Sequence, residues 1–248
     1  MRVHVLGSGS GGNAIVLESD RQRILVDAGF GVRTLAARLK AVDVAPDSIS
    51  ALIVTHEHID HIRGAAAAAR RWHWPVYGTA GTLRTYTQRG SEARRVDPRR
   101  ELVLDDFTVR LVRAPHDAEE HVALVVTVNS SGERVGIAYD IGHVTERFAA
   151  QFADVDVLLL ESNHDDRMLA TGPYPWSVKQ RVAGPRGHLS NAEAGLMARA
   201  CIHPGLRHLV LCHLSETNNR PQLALRAMRT SLRGSGFCGT LRAAAQDQ

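Results

Sequence analysis

Apolar residues recur along this chain in two rhythms. Short runs bounded by glycines and polar turns, alternating or continuously apolar, read as strands. They cover residues 2–6, 14–18, 23–26, 51–55, 75–78, 102–104, 107–114, 122–128, 134–139, 155–160 and 209–212. Longer stretches with apolar residues on one face read as helices at 32–39, 64–72 (alanine-rich), 191–201 and 220–233. Ser190 or Asn191 supplies the cap of the third, and Pro221 stands in the first turn of the fourth. Many strands, several in meander order with helices between them, predict mixed α/β layers rather than a TIM barrel or a simple Rossmann sheet. Residues 89–100 are polar and Arg-rich and read as an exposed loop. No internal repeat and no linker-like tract interrupts the order.

Length and composition narrow the class. The 248 residues suit one domain spanning 1–248, built as two intimate αβ halves with a divide expected near 120–130. The 44% apolar and 23% charged fractions exclude a low-complexity or collagenous chain. Apolar runs such as 155–160 fall far short of the ~20 residues that span a bilayer. The N-terminus lacks the apolar core of a signal peptide, so the expected location is cytoplasmic, without a membrane partner. Cys201, Cys212 and Cys238 form no CxxC pair, which argues against both a disulfide framework and a thiolate zinc site. The net charge of +4 is carried almost wholly by arginine, since Lys40 and Lys179 are the only lysines. Arginine suits phosphate contact, and it equally suits a chain that prefers arginine on its surface.

Histidine changes the picture. There are 13, and three of them fall in Thr55-His56-Glu57-His58-Ile59-Asp60-His61, directly after a buried strand. Imidazole and carboxylate are ligands of choice for Zn, Mn or Fe. A loop leaving a strand can fan these side chains around one centre.

The H-x-H-x-D-H spacing resembles the metallo-β-lactamase fold superfamily. The resemblance implies a four-layer αβ/βα sandwich, two mixed β-sheets flanked by helices, with a dinuclear site at one edge. It also asks for three later ligands, which His116 in Ala114-Pro115-His116-Asp117, Asp140 in Ala138-Tyr139-Asp140-Ile141-Gly142 and His213 after 209–212 supply. Carried over, it puts His56, His58 and His116 on one divalent ion and Asp60, His61 and His213 on the other, with Asp140 bridging. Asp27, in Ile24-Leu25-Val26-Asp27-Ala28-Gly29, matches an early aspartate that orients ligands from behind. Two such ions, Zn²⁺ or Mn²⁺ with Fe²⁺ as a further option, draw a nucleophile from water near neutral pH and clamp the oxygens of an in-line displacement.

Two further segments, Glu161-Ser162-Asn163-His164-Asp165 and Gly187-His188-Leu189-Ser190-Asn191, resemble the phosphodiesterase branch that includes RNase Z. There a glutamate orients a histidine that protonates the leaving oxygen; here those roles fall to Glu161 and His188, with Asp60 also needed for turnover. The closer resemblance is to the bacterial YycJ/WalJ group. It runs from Leu6-Gly7-Ser8-Gly9-Ser10-Gly11-Gly12-Asn13 through Tyr174-Pro175-Trp176-Ser177-Val178-Lys179 to His213-Leu214-Ser215-Glu216-Thr217-Asn218-Asn219. It implies a 5′→3′ DNA exonuclease. The length leaves no room for a β-CASP insertion, and no counterpart of the long RNase Z arm is evident. Lys179 and Arg181 are candidates for phosphate contact, His164 for a place at the site's edge, and Trp72, Trp74 and Trp176 for stacking on bases. Two other readings stay open: a hydrolase of the same fold with a small substrate, such as a cyclic phosphodiester or thioester, and a non-catalytic regulatory partner. Protein partners are not indicated, although a homo-oligomer is compatible with the chain.

Overall fold

The computed structural model describes residues 1–87 and 93–245. In the first sheet, β1 (Arg2–Gly7), β2 (Ala14–Glu18) and β3 (Arg23–Val26) form an antiparallel meander. Three parallel strands extend it: β4 (Ala51–Ile53), β5 (Val76–Gly78) and β6 (Arg94–Arg95). The second sheet repeats the plan at larger scale. Its meander is β7 (Leu102–Leu104), β8 (Phe107–Arg113), β9 (Val122–Val128) and β10 (Arg134–Ala138). Parallel strands β11 (Val157–Glu161), β12 (His208–Cys212) and β13 (Thr240–Ala243) continue from β10.

Period-two alternation sorts the side chains into layers. Ile24 and Val26 of β3, Ile53 of β4, Leu124 and Val126 of β9 and Leu159 of β11 meet in one core between the sheets. Leu25 and Leu52 face outward and are covered by α1 (Val32–Ala41), through Leu35 and Leu39, and by the alanines of α3 (Ala65–Trp72). On the far side, Val125, Leu158 and Leu160 are covered by α5 (Glu146–Ala149), α8 (Asn191–Ala200) and α9 (Pro221–Ser231). The result is the expected four-layer αβ/βα sandwich. Ser190 is the cap of α8: its side chain accepts from Glu193 N while Glu193 reaches back to the Ser190 N–H.

Several short elements escape the sequence pattern. These are α2 (Ile59–Ile62), α4 (Ala80–Thr87), α6 (Asp166–Thr171) and α7 (Trp176–Val182), together with α5, β6 and β13. Most are too short for a 3.6-residue period to repeat, and α7 exposes Trp176. Part of the Arg-rich segment 89–100 lies outside the described residues. Within the described part, Arg94 and Arg95 form an edge strand paired with Tyr77 and Gly78 rather than a loop. The change of sheet falls between residues 95 and 102. It is therefore upstream of 120–130, a region occupied by β9 deep in the second sheet. The antiparallel hairpins β7–β8–β9 draw that whole meander into the second half. Among the described residues, no helix is long and apolar enough to cross a membrane.

The ends of β3, β4, β8, β10, β11 and β12 open at one edge of the sandwich. There the loops touch backbone to backbone. Asn13 N donates to Asp60 O (2.8 Å), Ala28 N to His61 O (2.8 Å) and Gly29 N to Asn13 O (3.0 Å). A β-carbon on Gly29 would sit 1.7 Å from Asp60 O, so only glycine allows this approach. Gly29→Ala is expected to lower unfolding stability by about 3 kcal/mol, read as a lower urea midpoint at unchanged slope. A midpoint equal to wild type would show that the loops separate without cost.

Candidate metal centre

Each chemically important side chain leaves the carboxyl end of a strand or the loop after it, where open α/β sheets present ligand sites. Asp27 follows β3, the segment 54–61 follows β4, His116 follows β8, Asp140 follows β10, and His213 follows β12. Glu161 is the last residue of β11. Asp27, Asp140 and His213 take left-handed φ values of 58°, 57° and 53°. Such values cost non-glycine residues energy and persist where surroundings enforce them. Each residue turns sharply off its strand and brings its side chain back over the sheet edge.

Hydrogen bonds fix how the imidazoles point. Asp27 is fully buried and accepts from Thr55 N (2.8 Å), Thr55 Oγ1 (2.8 Å), His61 Nδ1 (2.7 Å) and Tyr139 OH (2.6 Å). The Thr55 hydroxyl, committed to Asp27, in turn accepts from His56 Nδ1 (3.1 Å). His116 Nδ1 donates to Gly187 O (3.0 Å), and His213 Nδ1 to Glu161 Oε1 (3.1 Å). In these four rings the Nδ1–H is spoken for, which leaves Nε2 as a lone pair. Two of those lone pairs, His56 Nε2 and His213 Nε2, are buried without a hydrogen-bond partner.

The free atoms converge. Ligand atoms of His56, His58 and His116 lie within 4.8 Å of one another, as do those of Asp60, His61 and His213. Asp140 joins His56 and His61 in a third such group and Glu161, His188 and His213 in a fourth. Asp140 Oδ2 approaches His61 Nε2 to 2.9 Å, and Asp140 Oδ1 approaches His213 Nδ1 to 3.1 Å. Nitrogen and oxygen donors with buried, unpartnered lone pairs suit a divalent cation.

Electrostatics agree. Burial, with His61 and His121 close by, holds the His56 ring neutral, well below the usual imidazole range. Burial opposes charging His61 and His213 too, but the surrounding carboxylates outweigh it. Asp27, Asp140 and Asp60 raise His61 well above its ordinary value. Asp140, Asp60 and Glu161 push His213 up to about 10. Against the cost of burial, the neighbouring imidazoles hold Asp140 and Asp60 well below the usual carboxylate range. The cluster thus demands positive charge, which protons or a divalent cation can supply.

A cavity of about 240 Å³ opens over this centre, lined by His58, Asp60, His116, Asp140, His188 and His213. His188 Nδ1 donates to Glu161 Oε1 (2.9 Å), while Glu161 Oε2 accepts from Ile141 N (2.8 Å) and Leu189 N (3.1 Å). Although burial works against its charged form, Glu161 and Asp140 raise the basicity of His188.

Not every candidate reaches the pocket. Arg181 lines it, with a guanidinium nitrogen 3.7 Å from Asp117 Oδ2. Lys179 does not: its ammonium donates to Ala170 O (2.8 Å), because one helical residue separates the two faces of α7. His164 is buried away from the pocket, where its backbone bridges to Ser190 beside the start of α8. Trp72 and Trp74 pack on each other and into the outer core, and Trp74 Nε1 donates to Pro46 O (2.8 Å). Of the three tryptophans only Trp176 is exposed.

The structure adds residues that the sequence reading passed over. His121 is buried with its ring 4.6 Å from that of His56, and its Nε2 donates to Tyr139 O (2.9 Å). Asn218 lines the pocket, is 1% exposed, and has neither amide atom hydrogen-bonded. No spacing signals His121, whose place depends on packing across the sheets. Asn218 lies in the run after His213, but only the fold aims it into the cavity.

A family model described as a beta-lactamase superfamily domain matches residues 22–214. The exodeoxyribonuclease YycJ of Bacillus anthracis is 30% identical over 241 residues, covering 94% of this chain and 89% of the relative. The chain is a YycJ/WalJ-like member of the beta-lactamase superfamily. The exodeoxyribonuclease WalJ of Streptococcus pneumoniae is 28% identical over 236 residues, 92% of this chain and 87% of the relative. The metallo-β-lactamase fold protein YhfI from Bacillus subtilis superposes with a TM-score of 0.77 at 19% identity, covering 99% of this chain and 97% of that one. As a member of this superfamily the chain is a metal-dependent hydrolase, and its His/Asp cluster is able to hold divalent metal.

Two outcomes are expected here. Saturating Zn²⁺ or Mn²⁺ at about 100 times Kd should stabilise the protein by about 2.7 kcal/mol, seen as a higher melting temperature that chelation reverses. An unmoved transition would argue that the cluster binds no ion. Asp27→Ala should weaken metal binding by about 10–100-fold, measured as metal retained after dialysis against graded chelator. Retention equal to wild type would show that Asp27 orients nothing.

Proposed function

We propose that this chain is a dinuclear metal-dependent phosphodiester hydrolase, acting as a 5′→3′ exonuclease on DNA. The observation that carries the reading is His188, fixed on a buried glutamate and lining the same cavity as the ligand cluster. Residues 1–248 are read as one folding unit, because a single core joins both sheets.

In this reading His56, His58 and His116 hold one divalent ion, Asp60, His61 and His213 the other, and Asp140 serves both. When bound, the pair supplies Lewis-acid polarisation of a phosphoryl oxygen and a nucleophile from water near neutral pH. The donor set is all nitrogen and oxygen, which accepts Zn²⁺, Mn²⁺ or Fe²⁺.

The protein's own part is proton placement and orientation. His188 donates Nδ1–H to Glu161 and so offers Nε2 to the cavity. Against the cost of burial, Glu161 and Asp140 raise its basicity, which favours a proton at Nε2 that the alkoxide leaving group of a phosphodiester can take up. Thioester cleavage gains less from such an acid, because a thiolate leaves without a proton. Glu161 cannot drift, because two backbone N–H groups hold its other oxygen. Arg181, at the cavity wall, is placed to meet a phosphate. Two relatives named exodeoxyribonucleases, matched over nearly the whole chain, support DNA as the substrate.

With Mn²⁺ the protein is expected to release nucleotides from 5′-phosphorylated linear duplex. Turnover of bis-p-nitrophenyl phosphate without any release from duplex would instead favour a small substrate. His188→Ala should keep its metal content while turnover falls about 10²–10⁴-fold. If metal analysis found an ion missing from that variant, His188 would be a ligand rather than the acid. Asp60→Ala should abolish turnover of either substrate.

A further inference from the structure

A second, larger concavity of about 660 Å³ adjoins the candidate metal centre, and the function proposed above does not use it. It lies where the outer face of the second sheet runs out of helical cover. The helix α5 and the turn after it roof β9–β11 through Phe148, Ala149 and Phe152. The edge strand β7 and its neighbour β8 project beyond that roof, and arginines line the groove there. Arg110 of β8 donates to Gln151 Oε1 (3.0 Å) and Gln151 O (2.6 Å), both neutral acceptors. Arg113 is paired with Glu120, and Arg99 with Asp97. Arg100 and Arg147 are exposed. Among the described residues, Arg100, Arg110 and Arg147 make no direct ion pair, although Asp97 lies near enough to Arg100 to feel its charge. Among the described residues, Glu101 is the one carboxylate of the lining.

The groove and the candidate centre are lined from neighbouring positions of the same two loops. Pro115 lines the groove, and the next residue, His116, lines the metal cavity. Asp140 lines the cavity, while His143, three residues on, lines the groove. A strap holds this junction: Gly142 N donates to Pro115 O (2.7 Å), His143 Nδ1 to Pro185 O (2.8 Å) and Arg186 Nε to His116 O (2.9 Å).

We propose that this groove is a phosphate-backbone track, holding the DNA strand several nucleotides away from the bond being cut. The proposal rests on the phosphodiesterase reading of the centre. Guanidiniums without carboxylate partners, set in a concave surface, are the chemistry that recognises phosphodiester oxygens. A polyanion needs several such groups rather than one pocket, and the wall that carries them continues through Pro115 to His116 of the metal cavity. Gln151 keeps Arg110 in place without neutralising it.

The test compares two charge-matched double variants. Arg100→Glu with Arg147→Glu alters the groove; Arg226→Glu with Arg229→Glu alters exposed positions on α9, at the opposite edge of the same sheet. Binding of a short fluorescein-labelled, 5′-phosphorylated duplex is followed by anisotropy at several salt concentrations. Turnover of bis-p-nitrophenyl phosphate, too small to reach the groove, reports that the fold and cavity are intact. The groove variant should lose about 10–100-fold in affinity, and its slope of log K against log salt should flatten by about 2. The α9 variant should keep both. Equal losses in the two variants would reduce the effect to overall charge and overturn the track. Unchanged binding by the groove variant, while wild type still digests duplex, would overturn the track and leave the exonuclease reading standing. If wild type turned over the small phosphodiester but neither bound nor cut duplex, the DNA reading and the track would fall together.

Discussion

A single buried carboxylate joins this molecule at its centre. Asp27 belongs to the first sheet, yet it accepts from Tyr139 at the end of β10 in the second. It also ties down Thr55 and His61, the two ends of the histidine motif. An unpaired carboxylate at full burial would be severely penalised, whereas four good donors make the position tolerable. Burial and the nearby Asp27 charge together hold the Tyr139 phenol well above its ordinary range, so it stays a donor. Through this one group, the packing of the two sheets and the aim of the imidazoles become the same problem.

The same economy runs outward from Asp27. Thr55 relays it to His56, and Glu161 does for His188 and His213 what Asp27 does for His61. The two carboxylates differ in what they leave available. Asp27 points the lone pair of His61 at the ligand cluster. Glu161 points the His188 nitrogen at the cavity, where a proton rather than an ion is useful. Between them the two buried acids aim two prospective ligands, His61 and His213, and one prospective acid, His188. Left-handed backbone at Asp27, Asp140 and His213 is the local strain that this convergence requires.

Charge is distributed in the opposite sense at the surface. The centre gathers carboxylates and calls for cations, whereas the neighbouring groove gathers guanidiniums and calls for anions. In the proposed reading a phosphodiester chain would satisfy both, with its phosphates on arginine and its scissile group at the cluster. Arg181 stands at the cavity itself, and the strap formed by Gly142, His143 and Arg186 separates the two regions without parting them. That arrangement also explains why the modest net charge was a weak guide. The field that matters to a substrate is local, and a total of +4 says nothing of how the arginines are grouped.

Among the described strands all but β6 and β13 were legible in the chain, because alternation is a local signal, whereas the αβ/βα layering and the expected ligands came with the resemblance that the H-x-H-x-D-H spacing carries. The short elements α2, α5 and α6 were not, since four to six residues cannot display a helical period. Lys179 and Arg181 show the limit most clearly. They are two residues apart in one distinctive segment, yet α7 turns Arg181 into the cavity and Lys179 toward Ala170. Trp72, Trp74 and Trp176 likewise have the same chemistry and different fates, because burial follows from what each segment packs against. By itself, the sequence determined which residue types were available at each strand end, and hence the class of ion and reaction. Only the tertiary structure decided which lone pairs were left free, which arginines went unpaired, and that Asn218 and His121 belong beside the centre. Those outcomes depend on contacts between residues tens to hundreds of positions apart, and no local pattern carries them.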